Sequence, residues 1–171
     1  MKLEPGTFED VIEMVGEKFK DKSDNEKLFT LTLDEMALKA GSGMDYDIRS
    51  DSYQGDATLP GHSGQASKAL VFQIASIGGP RVKQVVGYHF TPSSVNAKPI
   101  AEIIEDIICK CDHIGISILV VTADAGSTNQ KCFKLLGCDL GKNSSWINYF
   151  PHPCKEDSKI YVIYDLSLIH I

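Results

Sequence analysis

The residues of this chain best placed to do chemistry are aspartates that close apolar runs. Asp34 follows the run 28–33, Asp124 follows 116–123, and Asp165, less clearly, follows 159–164. Such runs read as strands, and side chains at the carboxyl ends of neighbouring strands converge in space. Two carboxylates brought together repel, and a divalent cation relieves that repulsion. Clustered carboxylate oxygens without histidine suit magnesium. Two such metals can activate a nucleophile and stabilise a leaving oxygen in phosphodiester chemistry. An acid after a strand also serves to cap a turn or the next helix, and Asp124, before Ala125-Gly126-Ser127, is placed to do so. Glu35 adjoins Asp34, points to the opposite face of a strand, and is not read as a ligand.

Other site chemistries are poorly represented. His62, His89, His113, His152 and His170 show no ligand spacing, and none is assigned a role. The glycine-rich stretch 61–68 lacks the spacing of a phosphate-binding loop, and no Ser or Thr follows Lys68. The five cysteines are odd in number and follow no secretory signal. They are therefore expected to be buried reduced thiols rather than a disulfide framework or a zinc site.

The elements that must position the acids follow from periodicity. Residues 8–19 carry apolar side chains at helical spacing, with Thr7 and Asp10 resembling a capping box. Strands are predicted over 28–33, 69–77 and 82–90, the last two joined as a hairpin by the turn at 78–81. The stretch 40–67 is loop-rich, with a short strand possible only at 44–48. An isoleucine stripe predicts a helix from 100 to about Gly115. A continuous apolar strand then ends on Asp124, Ser127 or Thr128 caps a helix over 129–137, and a last strand precedes Asp165. The order is mixed α/β with no dividing linker.

Length and composition fit one domain with a sizeable core: 171 residues, 43% apolar and 23% charged. A net charge of −6 argues against a strong nucleic-acid binder in isolation, but is compatible with an acidic DNA-processing site. No apolar run reaches the length of a membrane helix.

The segments "LTLDEMALK", "ALVFQIASIGGPRVKQVVGYHF", "ILVVTADAGSTNQKCFKLLG" and "IYVIYD" resemble the RNase H-like catalytic domain of P-element transposases and their THAP-domain-linked relatives. The resemblance runs from about Pro5 to Asp165. Its most specific parts are Asp34-Glu35-Met36 and the spacing of Asp124, Gly126 and Asn129. The hairpin departs from the family in carrying Arg81-Val82-Lys83 where Trp-Lys is frequent.

The resemblance implies an RNase H-like mixed sheet flanked by helices, cut short before the C-terminal part of the fold. It places an N-terminal helix and loop at 1–27 and a partial RNase H-like domain at 28–165. Asp34 and Asp124 match the first two catalytic, metal-holding acids. The implied cofactor is Mg2+, with GTP bound in an insertion beyond this chain. The implied partner is transposon-end DNA, handled by an oligomer in the nucleus. The implied activity is cut-and-paste transposition. This chain alone is expected to be inactive, because the third acid lies on a later helix, and loss of covering helices is expected to expose apolar strand faces. Residues 166–171, "LSLIHI", are similar to a translated sequencing adapter and are expected to be non-native. Two other readings accompany this one. The first is a domesticated or decayed module that binds DNA or protein without catalysis. The second is an RNase H-like nuclease drawing on Glu102 or Glu105, which otherwise read as solvated helix-face charges.

Overall fold

The computed structural model describes residues 4–38, 45–47, 52–140 and 145–165. In chain order the elements are β1 (Gly6–Thr7), α1 (Glu9–Phe19), β2 (Leu28–Ala37), β3 (Asp45–Asp47), β4 (Ser52–Gln54), β5 (Lys68–Ser76) and β6 (Lys83–Thr91). They continue with α2 (Ala97–His113), β7 (Ser117–Ala123), α3 (Ser127–Leu136), β8 (Tyr149–Pro151) and β9 (Lys159–Tyr164). Seven strands form one sheet in the order β1-β6-β5-β2-β7-β9-β8, and β3 pairs only with β4. β2 lies at the centre, antiparallel to β5 and parallel to β7, which is in turn parallel to β9. This mixed α/β sheet is the architecture expected from the sequence. The expected tail at 166–171 lies outside the described residues.

Strand alternation decides which face is covered. In β2 the side chains of Phe29, Leu31 and Leu33 are buried, and they join one core with Phe72, Ile74, Val121 and Val162. All three helices bury their apolar stripes in that same core, through Ile12 and Phe19, Ile104 and Ile107, and Phe133. Phe19 and Phe29 meet edge-on with centroids 4.9 Å apart, a favoured aromatic geometry. The opposite face carries Thr30, Thr32, Gln73, Val120 and Thr122, all half-buried, with Tyr161 42% and Ile163 54% exposed. The sheet thus keeps apolar strand residues in contact with solvent on that face.

Several local expectations are corrected. β2 does not end at Leu33 but runs on to Ala37, because β5 pairs with it as far as Lys68. The capping box at Thr7 is absent: Thr7 pairs with Gly87 in the sheet, and Phe8 takes the cap position without a side-chain bond. Phe8 instead donates its N–H to the Val86 carbonyl at 2.7 Å and sets its ring against Tyr88. α2 begins before residue 100, where the Asn96 side chain accepts from the Lys98 N–H at 3.0 Å. The cysteines also divide. Cys111, Cys132 and Cys138 are the expected buried thiols. Cys109 and Cys154 are instead joined as a disulfide with Cα atoms 5.9 Å apart, linking α2 to the β8–β9 turn. Spacing cannot reveal this pair, because it is made by tertiary packing across 45 residues.

His62, His89 and His152 serve the packing. His62 accepts the Asn96 N–H on Nε2 at 2.9 Å, so its Nδ1–H donates to the Pro60 carbonyl, tying a loop to the start of α2. His89 is buried, its Nδ1–H donates to the Thr58 carbonyl, and burial lowers its pKa. Burial likewise lowers that of His152. A depressed histidine pKa favours the neutral folded form, so its contribution is complete above the unfolded value, about 6.5, and is lost as pH falls through the folded value. Urea melts should therefore show lower stability at pH 5.5 than at 7.5. The His89→Asn variant keeps a donor for Thr58 and should flatten that dependence; an unchanged slope would remove His89 as a cause.

Candidate functional site

The parallel register aligns the first two acids. Thr32 of β2 stands opposite Thr122 of β7, and Asp34 and Asp124 each lie two residues further on. Strand periodicity puts both carboxylates on the face of Thr32 and Thr122, away from the helices. Neighbouring strands lie about 4.8 Å apart, so the two acids are lateral neighbours at the carboxyl end of the sheet. β9 extends the row. Ala123 pairs with Tyr164, and the Asp165 N–H donates to the Ala123 carbonyl at 2.8 Å. That register sets Asp165 next beyond Asp124. Among the described residues, however, no three His, Cys, Asp or Glu side chains gather closely enough to enclose a metal ion. By register Asp34 and Asp124 are neighbours across β2 and β7.

The two carboxylates are held differently. Asp34 is exposed on the part of β2 that has outrun β7 and is supported only by β5, opposite Val71. Among the described residues its side chain has no hydrogen bond or ion pair. Asp124 sits in the turn between β7 and α3. Its Oδ1 accepts the Gly126 N–H at 2.9 Å and the Asn129 Nδ2–H at 2.6 Å. The turn-capping role open to Asp124 is therefore realised in the structure. It engages one oxygen and leaves Oδ2 without a partner among the described residues. Gly126, not Ser127 or Thr128, caps α3, and it does so through its backbone. A Cβ at Gly126 would lie 2.8 Å from Asp124 Oδ1, so a side chain there would require the carboxylate to shift.

Glu35 turns the other way and binds Lys68 Nζ at 2.6 Å. The charge of Lys68 is thereby directed to Glu35. Hard carboxylate oxygens fit the donor preferences of Mg2+. Glu102 and Glu105 are exposed on α2, in the helix layer and not on the carboxylate face, and Glu102 faces Lys98 at 3.8 Å. The sequence reading assigned no role to Asn129 or Lys68. For Asn129 the i+5 spacing from Asp124 across a glycine turn was an available signal. For Lys68 nothing local marks the pairing, which arises from the antiparallel register of β2 with β5.

Residues 3–137 match the family described as TNP-like, RNase H N-terminal domain. The Drosophila P element transposase strand transfer complex superposes with a TM-score of 0.73 at 22% sequence identity, over 96% of this chain and 32% of that one. That likeness carries the fold, and this chain spans less than a third of the protein it matches. A pre-cleavage Mos1 transpososome aligns over 79% of this chain and 44% of that one at 10% identity, with a TM-score of 0.30. No curated protein matches the chain.

Proposed function

Since the chain belongs to the TNP-like RNase H N-terminal domain family, we propose that it supplies the first two acids of a DNA transposase catalytic core. The observation that carries this reading is the parallel register of β2 and β7, from whose last pair, Thr32 and Thr122, Asp34 and Asp124 each lie two residues on. In this reading Asp34 and Asp124 hold Mg2+. The bound metal would lower the barrier to phosphodiester attack by activating a water or a 3′-hydroxyl and stabilising the leaving oxygen. The chain's own residues orient that chemistry. β2 and β7 fix the separation of the carboxylates, the Asp124 turn fixes one rotamer, and the covered face makes the platform rigid. The substrate is transposon-end DNA, the setting is nuclear, and the working form is an oligomer of a longer protein. A third acid and any GTP site would be provided outside these residues.

A longer protein carrying this segment should cut DNA bearing its element ends only when Mg2+ or Mn2+ is supplied. The 171-residue chain alone should not cut. Strand cleavage that persists in excess chelator would overturn the proposal.

A further inference from the structure

We infer that Asn129, acting with the bare backbone of Gly126, is the positioning residue for Asp124. The inference rests on the reading of Asp34 and Asp124 as metal-holding acids. A carboxylate on a short side chain can rotate about its last bond, presenting either oxygen or neither to a neighbour. Here the rotation is blocked from two sides. Asn129, in the first turn of α3, donates to Oδ1 at 2.6 Å, and its amide also lies 3.5 Å from the Asp124 carbonyl oxygen. Gly126 donates to the same Oδ1 at 2.9 Å and has no Cβ to push it away. Both donors converge on one oxygen, so the carboxylate presents the other, Oδ2, as the acceptor without a partner among the described residues. Asn129 is half-buried at the base of a helix packed into the core, which makes it a fixed donor and not a mobile one.

Charge also matters. An amide donor orients the carboxylate without neutralising it, whereas a lysine there would compete with a cation for the same negative charge. Partners of this kind, hydrogen-bonded to a ligand and not to the metal, typically change metal affinity 10–100-fold when removed. Gln130 supplies an internal control. Its side chain donates to the Ala125 carbonyl at 2.7 Å, steadying the same turn without touching the carboxylate.

The test is Mn2+ titration of the 171-residue chain, read by paramagnetic broadening of amide signals and by the free Mn2+ resonance, alongside thermal melts. In the wild type, broadening should centre on residues 34 and 124. Asn129→Ala and Asn129→Leu, the latter close in size but without the donor, should each weaken Mn2+ binding about tenfold or more. Gly126→Ala should do likewise by displacing Oδ1. Gln130→Ala should leave the affinity unchanged even if it lowers the melting temperature. Wild-type affinity in Asn129→Ala, with binding abolished in Asp34→Asn and Asp124→Asn, would overturn the positioning role and leave the metal reading standing. Absence of broadening near residues 34 and 124 in the wild type would overturn both. Equal weakening by Gln130→Ala and Asn129→Ala would reduce Asn129 to a turn-stabilising residue and sink the inference.

Discussion

In the longer protein, Asp34→Asn should lower metal-dependent DNA cleavage about 10³-fold and leave the melting temperature essentially where it was. The activity estimate follows from the several kcal/mol of transition-state stabilisation that a metal supplies, at tenfold in rate per 1.4 kcal/mol. The stability estimate follows from the side chain's surroundings. Asp34 is exposed and makes no hydrogen bond or ion pair with any described residue. Surface changes of this kind stay within about 0.5 kcal/mol. The residue is also free of any obligation to end its strand, since β2 continues to Ala37 on the strength of β5 alone. Asp124 offers the instructive contrast. Asp124→Asn keeps an oxygen for Gly126 and Asn129 and should lose activity with little loss of stability. Asp124→Ala forfeits both bonds and should cost roughly 1 kcal/mol in addition, as other lost caps do. Cleavage assays on end-bearing DNA with parallel melts separate the two effects. A stable Asp34→Asn protein that cuts DNA at the wild-type rate would remove Asp34 from the site.

What the sequence discloses here depends on whether a feature is local. The isoleucine stripe of α2 and the continuous apolar run of β7 are periodic signals, and both elements form over the patterned residues, α2 starting three residues earlier at Ala97. The end of β2 is not local. Nothing within 28–37 says that β7 stops pairing at Thr32 while β5 goes on to Ala37, because that is decided by two partner strands far along the chain. The same holds for Lys68, drawn to Glu35 across 33 residues. The start of α1 failed for a related reason. Thr7 and Asp10 have the spacing of a cap, but pairing of Gly6 and Thr7 with β6 claims the backbone first. At Asp124 two local readings, cap and ligand, looked exclusive. The geometry makes them compatible, since a carboxylate has two oxygens and the turn occupies one.

Reducing the Cys109–Cys154 disulfide should cost about 4 kcal/mol of stability, on the chain-entropy estimate for a closed loop of this length. The bond spans 45 residues and encloses the end of α2, all of β7 and α3, the Asp124 turn and β8. Without it, that whole segment regains its freedom in the unfolded chain. A domain of this size is stable by only about 5–15 kcal/mol, so the change should shift a urea midpoint strongly. The crosslink also holds a polar cluster at the same junction. Lys155 is ion-paired with Asp112, and the Cys154 N–H donates to His152 Nδ1 at 3.1 Å. Cys154 is exposed and Cys109 half-exposed, so a dithiol reductant can reach the bond in the folded protein. The other three thiols should stay silent. Burial pushes Cys111 and Cys132 up to about 12 and Cys138 to about 11, leaving almost no thiolate at neutral pH to attack the disulfide or an alkylating agent. Native-state treatment with dithiothreitol and iodoacetamide should therefore add two carbamidomethyl groups by mass, on Cys109 and Cys154. The reduced protein should then melt with the double variant Cys109→Ser, Cys154→Ser. Five modified cysteines would show that reduction opens the core itself. A midpoint indifferent to reductant would mean that packing of α2 against the β8–β9 turn holds the segment without the covalent bond.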